Sequence, residues 1–201
     1  MGKPPRRSKA AAKKLSKPAR RAQLLATAHT IVREEGTDAL TLGHLAERAG
    51  VSKPIAYEHF ETRAGLLIAL YQEIDDRQVA ALKDALKRTK PRLQDVARVI
   101  GRAHVECCLA IGRESQAISA ALRGDEQTEK FQQSLIHRYA AIYCDALAPY
   151  TKLSREELRL RCLALIGASD AITREMSSGR TSPGAAASTL ASLISASLES
   201  K

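Results

Sequence analysis

Apolar residues recur at steps of three and four along most of the chain after Pro18, a spacing that predicts amphipathic helices. Gly36 ends the first of these helices, since glycine readily adopts the backbone that follows a helix C-terminus. No segment has a convincing strand pattern, and no internal repeat is found. The sequence therefore predicts an all-α protein. The apolar set of its first helix is Leu24, Leu25, Ala28, Ile31 and Val32.

Capping residues and prolines divide the chain into about nine predicted helices, three before residue 61 and six after it. Thr62 caps a long helix, and Pro91 separates it from the next one. Ser154 with Glu157 three residues later forms a capping-box pattern at the start of another. The predicted ranges are about 19–36, 41–49, 53–60, 62–88, 92–111, 114–122, 126–147, 154–177 and 183–198.

Residues 41–60 predict two short helices joined by a tight turn at residues 50–52. Thr41 and Ser52 are suitable N-caps, and Pro54 falls in a first turn, where a missing N–H costs little. A pair of this kind is typical of the helix-turn-helix, whose second helix enters the DNA major groove. An ordinary helical hairpin is the alternative. The predicted apolar face consists of Leu42, Leu45, Ala46, Ala49, Ile55, Ala56 and Phe60.

The net charge of +10 is concentrated at the amino terminus. Residues 1–21 hold nine Lys and Arg and no acidic residue, while the other 180 hold 23 basic and 22 acidic residues. A block of like charge repels itself and stays disordered until it meets a polyanion. We predict that residues 1–18 are a disordered basic arm whose partner is double-stranded DNA. A solubilising tail is the alternative.

The cellular setting follows from what the sequence lacks. It has no run of ~18 apolar residues that would span a membrane, and no apolar segment behind the basic terminus that would make it a secretory signal. Its four cysteines show no CxxC spacing, which favours a reduced, cytoplasmic protein without a membrane partner.

The segment from Thr41 to Ser52, the run Tyr57-Glu-His-Phe60 and the helix start Thr62-Arg-x-x-Leu-Leu67 resemble the DNA-binding domain of the TetR family of transcriptional regulators. The resemblance covers about residues 19–70. It implies a three-helix DNA-binding head, residues 19–62, and a six-helix body, residues 63–201, for ligand binding and dimerisation. It also implies a homodimer that binds a palindromic operator and is released by a small-molecule effector; most such proteins are repressors.

The same resemblance implies roles for single residues of the head. Thr41, Tyr57, His59 and Arg63 match positions that usually hold phosphates. Base edges are expected at the start of the second helix of the pair, at Ser52, Lys53, Pro54 and Ala56, and the end of the arm is expected to touch phosphate through Arg20 and Arg21. The sequence departs from the family pattern at Gly43, where a polar contact is missing, and at Gly65, an unusual residue early in a helix that would allow close approach of neighbouring backbone.

The last two helices are rich in small residues, which let helices approach closely. This composition, together with the resemblance, predicts a four-helix contact between two subunits. The alternative is that these helices complete the core of one subunit. The candidate interface residues are Gly167, Ala171, Ala187, Leu190, Ala191 and Ile194.

The middle helices are expected to border the effector cavity. The candidate lining residues are His104, Cys107, Phe131, Tyr139, Tyr143 and Cys162. His104 and Cys107 would also suit a metal site or a thiol switch, but buried packing is the commoner fate of cysteine, and we predict neither metal nor cofactor.

No GxGxxG, GxSxG, P-loop or HExxH motif is found, so an enzyme is not predicted. Two further alternatives stay open. One is a helical binding or scaffold protein whose basic arm meets another polyanion, and the other is a thiol-responsive regulator.

Overall fold

The computed structural model describes residues 15–110, 118 and 126–198, and within them it contains eight α-helices, a short 3-10 turn at Ala148–Tyr150 and no strand. The all-α prediction is confirmed. Most of the predicted basic arm and of the predicted helix 114–122 lie outside the described residues. The helices are α1 (Lys17–Glu35), α2 (Leu42–Arg48), α3 (Lys53–Phe60), α4 (Arg63–Lys87), α5 (Leu93–Ala110), α6 (Glu126–Leu147), α7 (Arg155–Ser177) and α8 (Pro183–Leu198).

Side-chain caps begin several of these helices where the sequence predicts them. The Thr41 hydroxyl accepts from the His44 backbone N–H at 3.1 Å, and Thr62 does the same for Gly65 at 2.9 Å. Ser154 accepts from the backbone of Glu157 at 3.2 Å. The second half of the predicted capping box is replaced, because the Glu157 carboxylate accepts from Arg161 at 2.8 Å instead.

The first three helices and the start of α4 share one hydrophobic core. Gly50 ends the first helix of the pair with a φ of +65°, a left-handed conformation that glycine adopts without strain. The Val51 N–H then donates to the Ala46 carbonyl at 2.9 Å and closes the turn. The fully buried side chains at the centre of this core are Leu24, Ile31, Leu40, Leu45, Leu66 and Leu70.

Gly65 is required by a close approach of the chain to itself. A Cβ atom at this position would lie 2.3 Å from the Phe60 carbonyl oxygen, far inside contact distance. The expectation that Gly65 allows close backbone approach is therefore confirmed. The end of α3 and the start of α4 meet without an intervening side chain.

Helix α4 belongs to two cores. Its first half, with Leu66 and Leu70, packs into the head, and its second half, with Val79 and Leu82, packs into the body. This helix therefore connects the core of the head with the core of the body.

The body is built from α4 to α8, and α5 packs most extensively against α8. Their axes approach closely at Gly101, where a Cβ atom would lie 2.7 Å from the Ala187 carbonyl oxygen. Among the described residues, no helix is long and apolar enough to cross a membrane.

The small residues predicted for the subunit contact divide into two groups. Leu190 and Ile194 are buried at 1% and 2% exposure in this chain's own core, and Ala187 and Ala191 face Gly101 of α5. A single subunit therefore already buries Leu190, Ala191 and Ile194, which corrects the expectation that these three face a partner, whereas Ala187 is half-buried. Gly167 and Ala171 are exposed on α7.

Candidate nucleic-acid interface and ligand cavity

The second helix of the pair, α3, has one buried and one exposed side. Ala56 and Phe60 are buried in the head, while Lys53, Pro54 and Tyr57 are exposed. Tyr57 is 51% exposed, an unusual state for a large aromatic side chain. The exposed positions lie at the start of the helix and one turn later, where a groove-bound helix meets bases and backbone.

Ala56 corrects one expectation from the sequence. It is completely buried, so it meets the prediction of an apolar face and cannot touch a base edge. The reason is the helical period, which places position 56 one turn before the buried Phe60 and about 100° around the helix from Tyr57.

Ser52 occupies the N-cap position of α3, but its side chain makes no capping hydrogen bond. Its exposed hydroxyl is therefore not used by the helix start, unlike that of Thr41. A hydroxyl in this place could donate to or accept from a phosphate or a base edge.

Lys53 is the exposed cation at the start of α3. Its Cε atom lies 3.7 Å from the place a Gly43 Cβ would take, and its amino nitrogen 4.0 Å from it. The lysine stem thus crosses the space that the missing side chain at Gly43 leaves on α2. A cation therefore lies at the position where Gly43 leaves the sequence without a polar side chain.

The other cations of the head are engaged within the protein. Arg63, expected to hold phosphate, donates from Nε to the Leu40 carbonyl (2.9 Å) and from Nη2 to the Thr37 carbonyl (2.7 Å). Arg48 pairs with Glu34 at 2.9 Å and also with Glu35. Arg63 therefore fastens the start of α4 to the loop before α2.

Arg20 and Arg21 lie near the start of α1 and are half-buried. Arg20 donates to Gln23 at 2.5 Å. Arg21 donates to the His59 carbonyl at 3.1 Å, and its guanidinium lies 4.9 Å from the centre of the Phe60 ring. Arg21 thus joins α1 to the end of α3, a role that the sequence did not indicate.

His59 is half-buried beside Phe60. Burial lowers the pKa of its imidazole, and the nearby cations Lys17 and Arg21 act in the same direction against Glu58. At neutral pH the ring is therefore uncharged, and it offers one N–H to a phosphate rather than a full charge.

A cavity of about 770 Å³ lies between helices α4, α5, α6 and α7. The structure places five of the six predicted lining residues along it: His104, Cys107, Phe131, Tyr139 and Tyr143.

Cys162 does not line the cavity. It is completely buried in the body core, where its thiol contacts that of Cys144. The sequence shows that Cys162 lies on the apolar side of a helix. It does not show whether a cavity or a packed core lies opposite that side.

The wall formed by α4 carries a buried acid, Asp75, that the sequence analysis missed. Its carboxylate is 2.7 Å from Nη1 of Arg138, which also lies 2.8 Å from Asp76. Burial raises the pKa of Asp75, while a hydrogen bond from Tyr139 and the charge of Arg138 oppose that rise. The available signal was an acidic residue within an apolar stripe, four residues after Tyr71.

The opposite wall holds a chain of polar contacts. His104 lies 3.1 Å from the Thr173 hydroxyl, which donates to the Ser169 carbonyl at 2.8 Å. Burial lowers the pKa of His104, so the ring is neutral at pH 7. No group of three potential metal ligands is found in the described part of the chain.

Burial raises the pKa of Cys107 to about 12. The group is therefore a thiol at neutral pH, and thiols are far weaker nucleophiles than thiolates. This environment does not favour the thiol-responsive alternative.

Two comparisons concern the amino-acid sequence. Residues 24–70 match the model for bacterial regulatory proteins of the tetR family. The chain is 33% identical over 117 residues to the HTH-type transcriptional activator FasR of Mycolicibacterium smegmatis. The matched segment covers 58% of this chain and 51% of FasR. It is 36% identical over 90 residues to the regulator BetI of Rhizobium meliloti, covering 43% and 44% of the two chains. The chain thus spans about half the length of these curated relatives.

Solved structures extend the likeness to nearly the whole chain. The fatty acid degradation regulator FadR of Bacillus halodurans aligns with a TM-score of 0.67 at 18% identity, covering 94% of this chain and 100% of that one. FadR of Bacillus subtilis in complex with stearoyl-CoA aligns with a TM-score of 0.63 at 17% identity, covering 89% and 99%. At these identities the likeness is one of fold. The likeness to the tetR family of regulatory proteins therefore rests on sequence for residues 24–70 and on fold for the rest of the chain.

Proposed function

We propose that this protein is a ligand-responsive DNA-binding repressor that acts as a homodimer on a palindromic operator. The observation that carries the proposal is the exposed row of Ser52, Lys53, Pro54 and Tyr57 on the second helix of the pair. These side chains offer a hydroxyl, a cation, an apolar ring and a phenol to a groove.

Helix α4 supports the link between effector and DNA. Its first half lies in the core of the head, and Tyr71, Asp75 and Leu82 farther along line the cavity. Tyr71 also packs edge-on against Phe131 of α6, with ring centres 5.8 Å apart. An effector that moves Tyr71 or Phe131 would therefore tilt α4 and the head that it carries.

The proposed subunit contact uses the outer faces of α7 and α8. Gly167 and Ala171 are exposed there, together with Leu160 at 53% and Leu193 at 40% exposure. Small residues flanked by exposed leucines suit close packing against a second copy related by two-fold symmetry. Two heads related in this way would read a palindrome.

The effector is proposed to be a small organic molecule. The FadR structure from Bacillus subtilis contains stearoyl-CoA, and a cavity of about 770 Å³ has room for a ligand of moderate size.

DNA selected from a random pool by the purified protein tests the proposal. Lys53→Ala should weaken binding to the selected sequence by about 5- to 150-fold, the value of a contact worth ~1–3 kcal/mol. Tyr57→Ala should abolish binding while circular dichroism and molecular mass stay unchanged. Fluorescence anisotropy at fixed salt measures both.

Lys83→Ala is the matched control, because it removes an equally exposed lysine from α4 outside the head. It should leave the affinity unchanged. Selection that yields no enriched sequence, or full affinity in Tyr57→Ala, would refute the assignment of α3 to DNA.

A further inference from the structure

Aromatic side chains are concentrated in the cavity. The whole sequence holds only two Phe and five Tyr, and four of these seven line this one space: Tyr71, Phe131, Tyr139 and Tyr143. Tyr139 and Tyr143 also pack edge to face, with ring centres 6.4 Å apart at 74°. The faces of aromatic rings carry partial negative charge and attract cations.

Two carboxyl groups line this space from different walls: that of Asp75 on α4 is buried, and that of Asp170 on α7 is at an exposed position. The Asp75 side chain is only 4% exposed. Its partner Arg138 is shared with Asp76, which is 65% exposed, so the guanidinium is not paired with Asp75 alone.

The cations among the described lining residues lie on exposed positions. Arg102 is 69% exposed and pairs with Glu106 at 3.2 Å, and Arg174 is exposed on α7. His104 is neutral at pH 7 because burial lowers its pKa. The buried part of the described lining thus presents the Asp75 carboxyl group and aromatic rings, and an anion placed there would face Asp75 without a buried cation of its own.

We propose that the cavity binds amphipathic organic cations, with the charged ammonium or phosphonium group near Asp75 and the apolar body against the four rings. This proposal rests on the proposed function of the cavity as the effector site. It adds the chemical class of the effector, which is a cation and not an anionic acyl compound.

A pair of ions of the same shape and opposite charge tests the sign of the preference. Tetraphenylphosphonium and tetraphenylborate are titrated calorimetrically into the full-length protein without DNA. The cation should bind at least about tenfold more tightly, as expected if ring and carboxylate contacts contribute more than ~1.4 kcal/mol. Equal or tighter binding of tetraphenylborate would overturn the proposal.

Asp75→Asn and Asp76→Asn locate the site. Both variants remove one acid beside Arg138, but only Asp75 lines the cavity, and Asp76 is 65% exposed. Asp75→Asn should weaken the phosphonium by about threefold to tenfold, and Asp76→Asn by less than about twofold. Equal losses in the two variants would show that the cation binds outside the cavity. Thermal unfolding of each variant checks that the fold is retained.

The calorimetric result is independent of DNA. If the phosphonium binds through Asp75 but leaves operator affinity unchanged, the cavity binds cations but does not control DNA binding, and the proposed effector function is refuted. If operator binding is present and the cation does not bind, the function stands and the ligand class is wrong.

Discussion

Two glycines in helices of the head have opposite surroundings. A Cβ at Gly43 would meet only the flexible stem of Lys53 at 3.7 Å, whereas a Cβ at Gly65 would meet the Phe60 carbonyl at 2.3 Å. Both read alike in the sequence, as unusual residues within a helix. Only the three-dimensional structure shows that a Cβ atom has room at Gly43 and has none at Gly65.

This difference predicts opposite effects of the same substitution. Gly65→Ala should destabilise the protein by ~1–3 kcal/mol, because the backbone between α3 and α4 must move. Gly43→Ala should stabilise it by up to ~1 kcal/mol, the helix propensity gained over glycine. Urea unfolding followed by circular dichroism, at one protein concentration, gives both free energies. A stabilising Gly65→Ala would disprove the close contact.

Residue roles in the head could be predicted only in part. The caps Thr41 and Thr62 follow from local sequence rules and are present. The partners of Arg21 and Arg63 lie 38 and 23 residues away along the chain, and no local pattern reveals such contacts. The burial of Asp75 was not predicted, because an acidic residue on a long helix usually faces solvent.

At the scale of elements, helix limits were predicted well because caps, glycines and prolines are local signals. Faces were harder to assign. The apolar width of α8 is explained by α5 of the same chain, which approaches at Gly101, so Leu190 and Ile194 are not free for a second subunit. Periodicity shows that a face is apolar and does not show what covers it.

The outer faces of α7 and α8 lead to a prediction about assembly. Arg161, next to Leu160 on α7, donates to the Ser197 carbonyl on α8, and Leu193 lies one turn before Ser197. Leu193→Arg should place a charge in the proposed contact and halve the mass measured by light scattering. Leu109→Arg, which changes a leucine 55% exposed on α5, is the control. A dimer that survives Leu193→Arg would exclude this face.

At the scale of the whole molecule, charge is distributed unevenly between arm and fold. The described cations of the head are largely engaged: Arg48 by two acids, Arg63 by carbonyls and Lys17 by Glu58 at 3.4 Å. The first 14 residues carry six Lys and Arg. Attraction to a polyanion should therefore come mainly from this segment.

Exchange of these six basic residues for Gln should lower the slope of log affinity against log salt by about 2 or more for a dimer, since each phosphate neutralised contributes ~0.9. The exchange keeps the chain length, so lost charge is separated from lost chain. Anisotropy titrations over a series of salt concentrations give the slope. An unchanged slope would favour the alternative of a solubilising tail.

The aromatic lining of the cavity also has a spectroscopic consequence. The protein has no tryptophan, and three of its five tyrosines, Tyr71, Tyr139 and Tyr143, line the cavity. Its near-ultraviolet absorption and emission therefore arise largely from the walls of that space. Burial raises the pKa of Tyr71 to about 12, so this phenol stays protonated in ordinary buffers. Occupancy of the cavity can thus be followed optically in the unlabelled protein.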